Sequence, residues 1–364
     1  MNQNELLDAK KHIIRISRDL HEIGLLVRTW GNISSRVDDD HMLITPSGIR
    51  YEDLTPEVIV QVNINDLSYE GEYKPSSEMK VHAMAYRIRR NCGFIVHTHQ
   101  VFATCAGTLG LKKIFSYYND EDVTIPVAPY AMPGTDKLAE NVGRTLKKYS
   151  GSNGIIMANH GTLCLGSNSN EAVYQAEMME SACNDFLIDV CKMDMTHGVE
   201  YGYNSHREGD SIVYENSDTP ERVKRIHEQI YAKRSDVNFI MHNKSEAALM
   251  VSRRANHMKP LLDDFAQLIG VGVKIPSNED EIYQNIKKNV NVVFAHNDGA
   301  YCVGATEDDA TAVAMVLDKG CIAYIAVMRN GEGHYLSLLE CIKMNRHYRK
   351  SYSKLANLDK NGEK

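Results

Sequence analysis

The sequence lacks the features of several specialised protein classes. Its eight cysteines are scattered with no Cys-x-x-Cys pair, which predicts reduced thiols in a cytoplasmic protein. A net charge of −7, with no long basic run, argues against nucleic-acid binding. No stretch approaches the ~18 consecutive apolar residues of a membrane span, and the charged, amphipathic N-terminus is not expected to be a signal peptide. We therefore expect neither a nucleic-acid nor a membrane partner.

The chain is long enough for two domains, with 364 residues of which 43% are hydrophobic. Helical spacing over residues 4–26 is followed by a turn signal at Gly31 and Asn32 and then by alternating strand and helix patterns. Ser76 and Ser77 are N-cap candidates for a helix. The alternation predicts a three-layer α/β/α fold, and the Gly-rich, polar segment 196–211 is the candidate linker.

The second half repeats the first. FIVHTHQVFATCAG is echoed by FIMHNKSEAALMVS, and MANHGTLCLGSNSNEA by AHNDGAYCVGATEDDA, in the same order and at similar spacing. The echo begins near residue 219, with no second copy of GNISSR or ITPSG. We predict a first domain over 1–200 and a partial, degenerate repeat of the same fold over 211–364.

The repeat keeps the scaffold pattern but loses most of a polar set. The matched pairs are His97 with His242, His99 with Lys244, His160 with Asp298, and Glu78 with Val223. The scaffold therefore does not require Glu78, His99 or His160.

His97 and His99 end an apolar strand, and alternation places both side chains on one face. Alone, such a pair is more often a core or surface pair. Neutral imidazole is also a common ligand of Zn²⁺ and similar cations. Together with His160 at a Gly turn and Glu78 at a helix start, the pair predicts a divalent-metal site. His82 lies on the same helical face as Glu78, but the repeat keeps it as His227, so packing or hydrogen bonding is the favoured interpretation.

Three short segments, GNISSR, TPSG and PSSE, are rich in Asn, Ser and Gly. Their backbone N–H groups and hydroxyls, next to a helix N-terminus, could form a phosphate-binding nest. Ordinary turns use the same residue types, and that alternative stays open.

The run GNISSR…MLITPSGIRYEDL…KPSSEMKVHAMAY…VHTH…TIPVAPYAMPGT…NHGTLCLG, over roughly residues 5–190, resembles the class II aldolase/adducin family. The resemblance implies a central, mainly antiparallel sheet in an α/β/α fold. It implies Zn²⁺, or Mn²⁺ or Co²⁺, held by His97, His99 and His160, with Glu78 as ligand or catalytic acid/base.

The resemblance also implies a phosphate pocket and a reaction. The pocket residues would be Gly31, Asn32, Ser47, Gly48, Ser76 and Ser77. The reaction would cleave a ketose 1-phosphate to dihydroxyacetone phosphate and an aldehyde through a metal-stabilised enediolate. A second acid would be Tyr117 or Tyr118, acting across a subunit boundary.

Two other functions remain open. Asp120 lies near the catalytic aspartate of the family's epimerases, so a ketose-phosphate 4-epimerase or a dehydratase is one alternative. A non-catalytic, adducin-like assembly module is the other. Family members assemble as symmetric tetramers, which implies a homo-oligomer. Tandem chains could also form a pseudo-tetramer.

Overall fold

The computed structural model describes residues 2–192, 194 and 198–360, with side chains up to residue 350. The chain divides into two compact units, Met1–Lys192 and Met193–Lys364.

The first unit contains five helices and eight strands within the part described. In chain order they are α1 (Gln3–Glu22), β1 (Asn32–Arg36), β2 (His41–Ile44), β3 (Val60–Asn63), α2 (Met79–Ile88), β4 (Phe94–Thr98), α3 (Val101–Ala106), β5 (Lys113–Tyr118), β6 (Glu121–Ala128), α4 (Asp136–Lys148), β7 (Gly154–Met157), β8 (Gly161–Gly166) and α5 (Ser169–Cys191).

The eight strands form one sheet in the order β3-β2-β1-β4-β8-β7-β6-β5. Every neighbouring pair is antiparallel except β6 and β7. Helices α2 and α4 pack on one face over a core that includes Ile95, while α3 and α5 pack against the other face. The predicted three-layer α/β/α fold with a mainly antiparallel sheet is confirmed.

Side-chain alternation in β4 directs the site toward α2. Ile95 belongs to the core beneath α2 and α4, and His97 lies two residues further on the same face. Glu78 precedes α2 directly. The sheet register therefore brings a strand histidine to the start of a helix.

Two local predictions for the first unit were wrong, and one strand was missed. Asn32 begins β1 instead of completing a turn, because the strand pairs on both sides with β2 and β4. β5 was not anticipated as a strand. Neither Ser76 nor Ser77 caps α2; the N-cap is Glu78, without a side-chain cap bond, and Ser76 Oγ instead accepts from Glu78 N at 3.2 Å.

The second unit has a smaller main sheet, in the order β10-β9-β11-β15-β14. Its elements are β9 (Ser205–Glu208), β10 (Ser211–Tyr214), α6 (Glu221–Lys233), β11 (Phe239–Asn243), α7 (Glu246–Arg254), β12 (His257–Met258), α8 (Asp263–Leu268), β13 (Val273–Lys274), α9 (Glu279–Asn285), β14 (Val292–Phe294), β15 (Ala300–Gly304), α10 (Glu307–Asn330) and α11 (Leu338–Lys360).

The repeat begins earlier than the sequence suggested. Residues 196 and 197 lie outside the described residues, but the rest of the expected linker contains β9, which pairs with β11 as β1 pairs with β4. This register matches Ser205 with Ser34. GYNSHR is therefore the second copy of GNISSR. The sequence comparison missed it because only the Gly, one Ser and the Arg are retained.

A buried hydrogen-bonded module is retained around the matched serines. Ser34 Oγ lies 2.7 Å from His82 Nδ1 and 2.9 Å from the Tyr86 hydroxyl. Ser205 Oγ lies 2.7 Å from His227 Nδ1 and 3.0 Å from the Tyr231 hydroxyl. Both histidines are buried, which lowers the pKa of each to about 3 and keeps the rings neutral. His82 is thus hydrogen-bonded within the scaffold.

One described helix, α10, is long and apolar enough to cross a membrane by length and composition, although Asp318 and Lys319 interrupt its apolar residues. Of its most apolar window, 78% is buried inside the protein, as for a core helix. All eight cysteines are buried, and none of them forms a disulfide bond.

Candidate metal centre

The structure brings together the four residues predicted to form the metal site. His97 lies on β4, His99 follows that strand, His160 lies between β7 and β8, and Glu78 precedes α2. Ligand atoms of all four lie within 4.8 Å of one another. Within the part of the chain that the structure describes, this is the single cluster of three or more such groups able to hold a metal ion.

The side chains converge through their outer atoms. His97 Nε2 lies 3.1 Å from His99 Nε2 and 3.2 Å from His160 Nε2. Glu78 places Oε2 2.7 Å from His97 Nε2 and Oε1 2.9 Å from His160 Nε2. In a tetrahedral zinc site with Zn–N bonds of ~2.05 Å, ligand nitrogens lie ~3.3 Å apart. The observed spacing fits three imidazoles around one cation.

The tautomer of His97 supports the same conclusion. Its Nδ1 lies 2.7 Å from the carbonyl oxygen of Thr162, which can only accept a hydrogen bond. Nδ1 therefore carries a proton, which leaves Nε2, the ring nitrogen that faces the cluster, as the atom that can bind a cation. Such a backbone contact fixes ring orientation in metal sites. No pattern in the sequence pointed to it, because the contact depends on the pairing of β4 with β8.

Glu78 is buried but charged. Burial by itself would raise the pKa of its carboxyl group, but the facing His160 and His97 lower that pKa well below its usual value. Asn32 Nδ2 donates to Glu78 Oε2 at 3.2 Å. The predicted phosphate ligand Asn32 thus directs its amide to the carboxylate.

The predicted phosphate segments lie beside one another. Pro46 and Pro75 form an isolated β-bridge between them. Ser47 N donates to Lys74 O at 3.0 Å and Ser76 N donates to Thr45 O at 3.1 Å, so both of these backbone donors are already used.

The remaining phosphate candidates differ in exposure and conformation. Ser47, Gly48 and Ser77 are exposed, whereas Gly31 is half-buried. Gly31 and Gly48 both adopt positive φ angles, 89° and 78°. Exposed Ser47, Gly48 and Ser77 are the residues of this set that an incoming phosphate could reach.

The predicted second acid does not join the cluster within the chain. Tyr117 lies on the edge strand β5, with β8, β7 and β6 between it and β4, and is 65% exposed. Tyr118 lies on the same strand, its ring against Tyr174. Asp120 lies in the tight turn between β5 and β6, with a φ of 63°.

Comparison with known proteins places the chain in a family. A profile of the class II aldolase and adducin N-terminal domain matches it twice, over residues 11–187 and 188–325. The chain therefore belongs to the class II aldolase/adducin family and carries two copies of its domain, and class II aldolases depend on a metal ion.

Individual relatives match about half of the chain. L-fuculose phosphate aldolases of Escherichia coli K12 and Shigella flexneri are each 33% identical over 197 residues, which is 53% of this chain and 88% of theirs. Among solved structures, an L-fuculose 1-phosphate aldolase is 29% identical, with a TM-score of 0.44, over 51% of this chain and 86% of that one. The L-fuculose-1-phosphate aldolase of Thermus thermophilus is 24% identical, with a TM-score of 0.41, over 50% and 92%.

Proposed function

We propose that the first unit is a divalent-metal-dependent aldolase that cleaves a ketose 1-phosphate to dihydroxyacetone phosphate and an aldehyde in the cytoplasm. The convergence of His97, His99 and His160 on Glu78 is the observation that carries the proposal. Zn²⁺ suits three imidazoles best, and Mn²⁺ and Co²⁺ are the other candidates. The two relatives named as L-fuculose phosphate aldolases support the substrate class.

Each part of the proposed reaction has a group in the site that can perform it. A cation held by the three histidines would act as a Lewis acid that polarises the ketose carbonyl. Glu78, kept ionised by the neighbouring histidines, is the group available to move a proton at the substrate carbon next to that carbonyl. Asn32 holds the carboxylate in place through its amide.

The phosphate would bind at the exposed edge of the site. The Ser47 and Ser77 hydroxyls and the Gly48 N–H supply small donors, and α2 begins two residues after Ser77. Ser77→Ala should raise KM for phosphorylated substrates with little effect on kcat, because it removes binding that substrate and transition state share.

The second acid would come from another copy of the chain, because Tyr117 is exposed and three strands lie between β5 and β4. We expect Tyr117→Phe and His99→Ala, each weakly active alone, to regain activity when their subunits are mixed and reassembled. Activity that stays at the level of the single variants would contradict a shared site in a homo-oligomer.

The function itself is tested by a screen of ketose 1-phosphates with added Zn²⁺, Mn²⁺ or Co²⁺. We expect release of dihydroxyacetone phosphate by wild type, a loss of more than ~100-fold in His99→Ala, and full activity in His41→Ala, a matched substitution on β2. An epimer without cleavage would assign the 4-epimerase alternative, and loss of water the dehydratase. A protein that binds no stoichiometric metal would instead be an assembly module.

A further inference from the structure

The centre of the second unit has the same backbone frame as the metal centre. β11 pairs with β15 from Phe239↔Gly304 to Asn243↔Ala300. β4 pairs with β8 from Phe94↔Gly166 to Thr98↔Thr162. This common register places Lys244 at the position of His99 and Asp298 at that of His160.

The retained histidine is committed to the backbone on both ring nitrogens. His242 Nδ1 accepts from the Tyr203 N–H at 3.4 Å, and Nε2 lies 2.7 Å from the carbonyl oxygen of Asp298, to which it donates. The ring is fully buried, and burial lowers its pKa. His97 uses only Nδ1 for a backbone hydrogen bond and directs Nε2 at the cluster, whereas both ring nitrogens of His242 are hydrogen-bonded to the backbone.

Two fixed positive charges surround the carboxylate that replaces the third histidine. Arg222 Nη1 lies 2.9 Å from Asp298 Oδ2, and Lys244 Nζ lies 3.9 Å from Asp298 Oδ1. The Tyr301 hydroxyl donates to Asp298 Oδ2 at 2.9 Å, and Arg222 also pairs with Glu279 at 2.9 Å. Two cations thus face two carboxylates, so the cluster is neutral without any added ion.

We infer that Lys244 and Arg222 have taken the place of the metal in the second unit, so that each polypeptide holds a single divalent cation. A divalent ion added to this cluster would meet two positive side chains within a few ångströms, and it would have to break their pairs with Asp298. The second centre is an internal ion-pair network that stabilises the second unit without a metal ion. This inference does not depend on whether the first unit cleaves a sugar phosphate.

Metal stoichiometry tests the inference directly. After saturation with Zn²⁺ and gel filtration, we expect one ion per wild-type chain, none in the double variant His97→Ala/His99→Ala, and one in Asp298→Asn. Two ions per wild-type chain, or a stoichiometric ion that survives in the double variant, would overturn it.

The structural role of the network is tested by thermal unfolding with and without a chelator. We expect Asp298→Asn to lower the midpoint by several degrees, by the same amount in both conditions, while the exposed Asp280→Asn leaves it unchanged. If Asp298→Asn does not fold, Arg222→Met gives the same readout. A midpoint loss that disappears on chelation would refute a metal-free network.

Discussion

The approach of β1 to the metal centre leaves no space for a side chain at Gly31. A Cβ there would lie 2.5 Å from the His97 carbonyl oxygen and 2.5 Å from Leu26 Cδ2, and the residue has a φ of +89°. Gly48 also has a positive φ, +78°, but its Cβ would meet nothing within 4 Å. Alanine at these two positions therefore separates steric conflict from backbone strain.

The expected cost of Gly31→Ala has two parts. Left-handed backbone costs a non-glycine residue roughly 1–2 kcal/mol, which both variants incur. Overpacking adds about 1–3 kcal/mol in Gly31→Ala alone. Relief of the clash needs β1 and β4 to separate by about 0.9 Å, the difference between 2.5 Å and the 3.4 Å at which ordinary contact begins. Because His97 is on β4, we also expect metal affinity to fall by ~10–100-fold, as when groups supporting a ligand are lost.

The assay is denaturant unfolding of both variants together with a titration of the metal-free protein with Zn²⁺. Gly31→Ala should lose more stability than Gly48→Ala by about 1–3 kcal/mol and should alone lose metal affinity. Equal losses in the two variants, or unchanged affinity in Gly31→Ala, would refute the reasoning that β1 positions His97.

Three further predictions concern buried polar groups. His227 has a folded pKa of about 3 against an ordinary value of 6.5, so within this window the unfolded chain binds a proton that the folded chain does not. The stability that the neutral ring contributes is complete above the unfolded pKa of 6.5 and is lost as the pH falls toward the folded pKa. His227→Asn should therefore reduce the slope of unfolding free energy against pH by ~1.4 kcal/mol per pH unit between pH 5 and 6. Lys319→Met leaves buried Asp264 without its ion-pair partner and should cost about 3–5 kcal/mol, more than replacing both by apolar residues. Asn32→Ala should lower kcat and metal affinity, whereas Ser77→Ala should change KM.

Each of these has a contrary result. Parallel stability curves for wild type and His227→Asn would mean that the ring is protonated in the folded state. If replacing both Asp264 and Lys319 by apolar residues lowers the unfolding free energy as much as Lys319→Met alone, the unpaired charge of Asp264 is not the cause of the loss. If Asn32→Ala changes KM alone, Asn32 binds the substrate phosphate, as the sequence predicted, and does not position Glu78.

The first unit's architecture could be read from the sequence because its signals are local. Apolar strands such as Phe94–Val96 and helices with a periodic apolar face identify themselves within a few residues. Short polar strands do not: Asn32–Arg36 reads as a turn by composition, and it is a strand because two neighbours complete its hydrogen bonds. β9 was likewise not predicted within the segment expected to be a linker, because its pairing with β11 is not visible in its composition.

In the candidate site too, the residue types were predictable from the sequence, but the contacts between them were not. The comparison between the two halves identified Glu78, His99 and His160 because the repeat replaces them while keeping the scaffold. It did not reveal that Asn32 contacts Glu78, that Thr162 fixes the ring of His97, or that Tyr117 lies on a distant edge strand. Each of these depends on distance in space between residues far apart in the chain.

The sequence by itself thus determined the family, the duplication and the four side chains of the metal cluster, because residue type and spacing carry that information. Only the tertiary structure decided how the two centres differ. Pairing of β4 with β8 and of β11 with β15 gives both halves one backbone frame. In the first frame imidazole lone pairs converge beside a carboxylate. In the second, Arg222 and Lys244 reach Asp298 and supply the positive charge themselves.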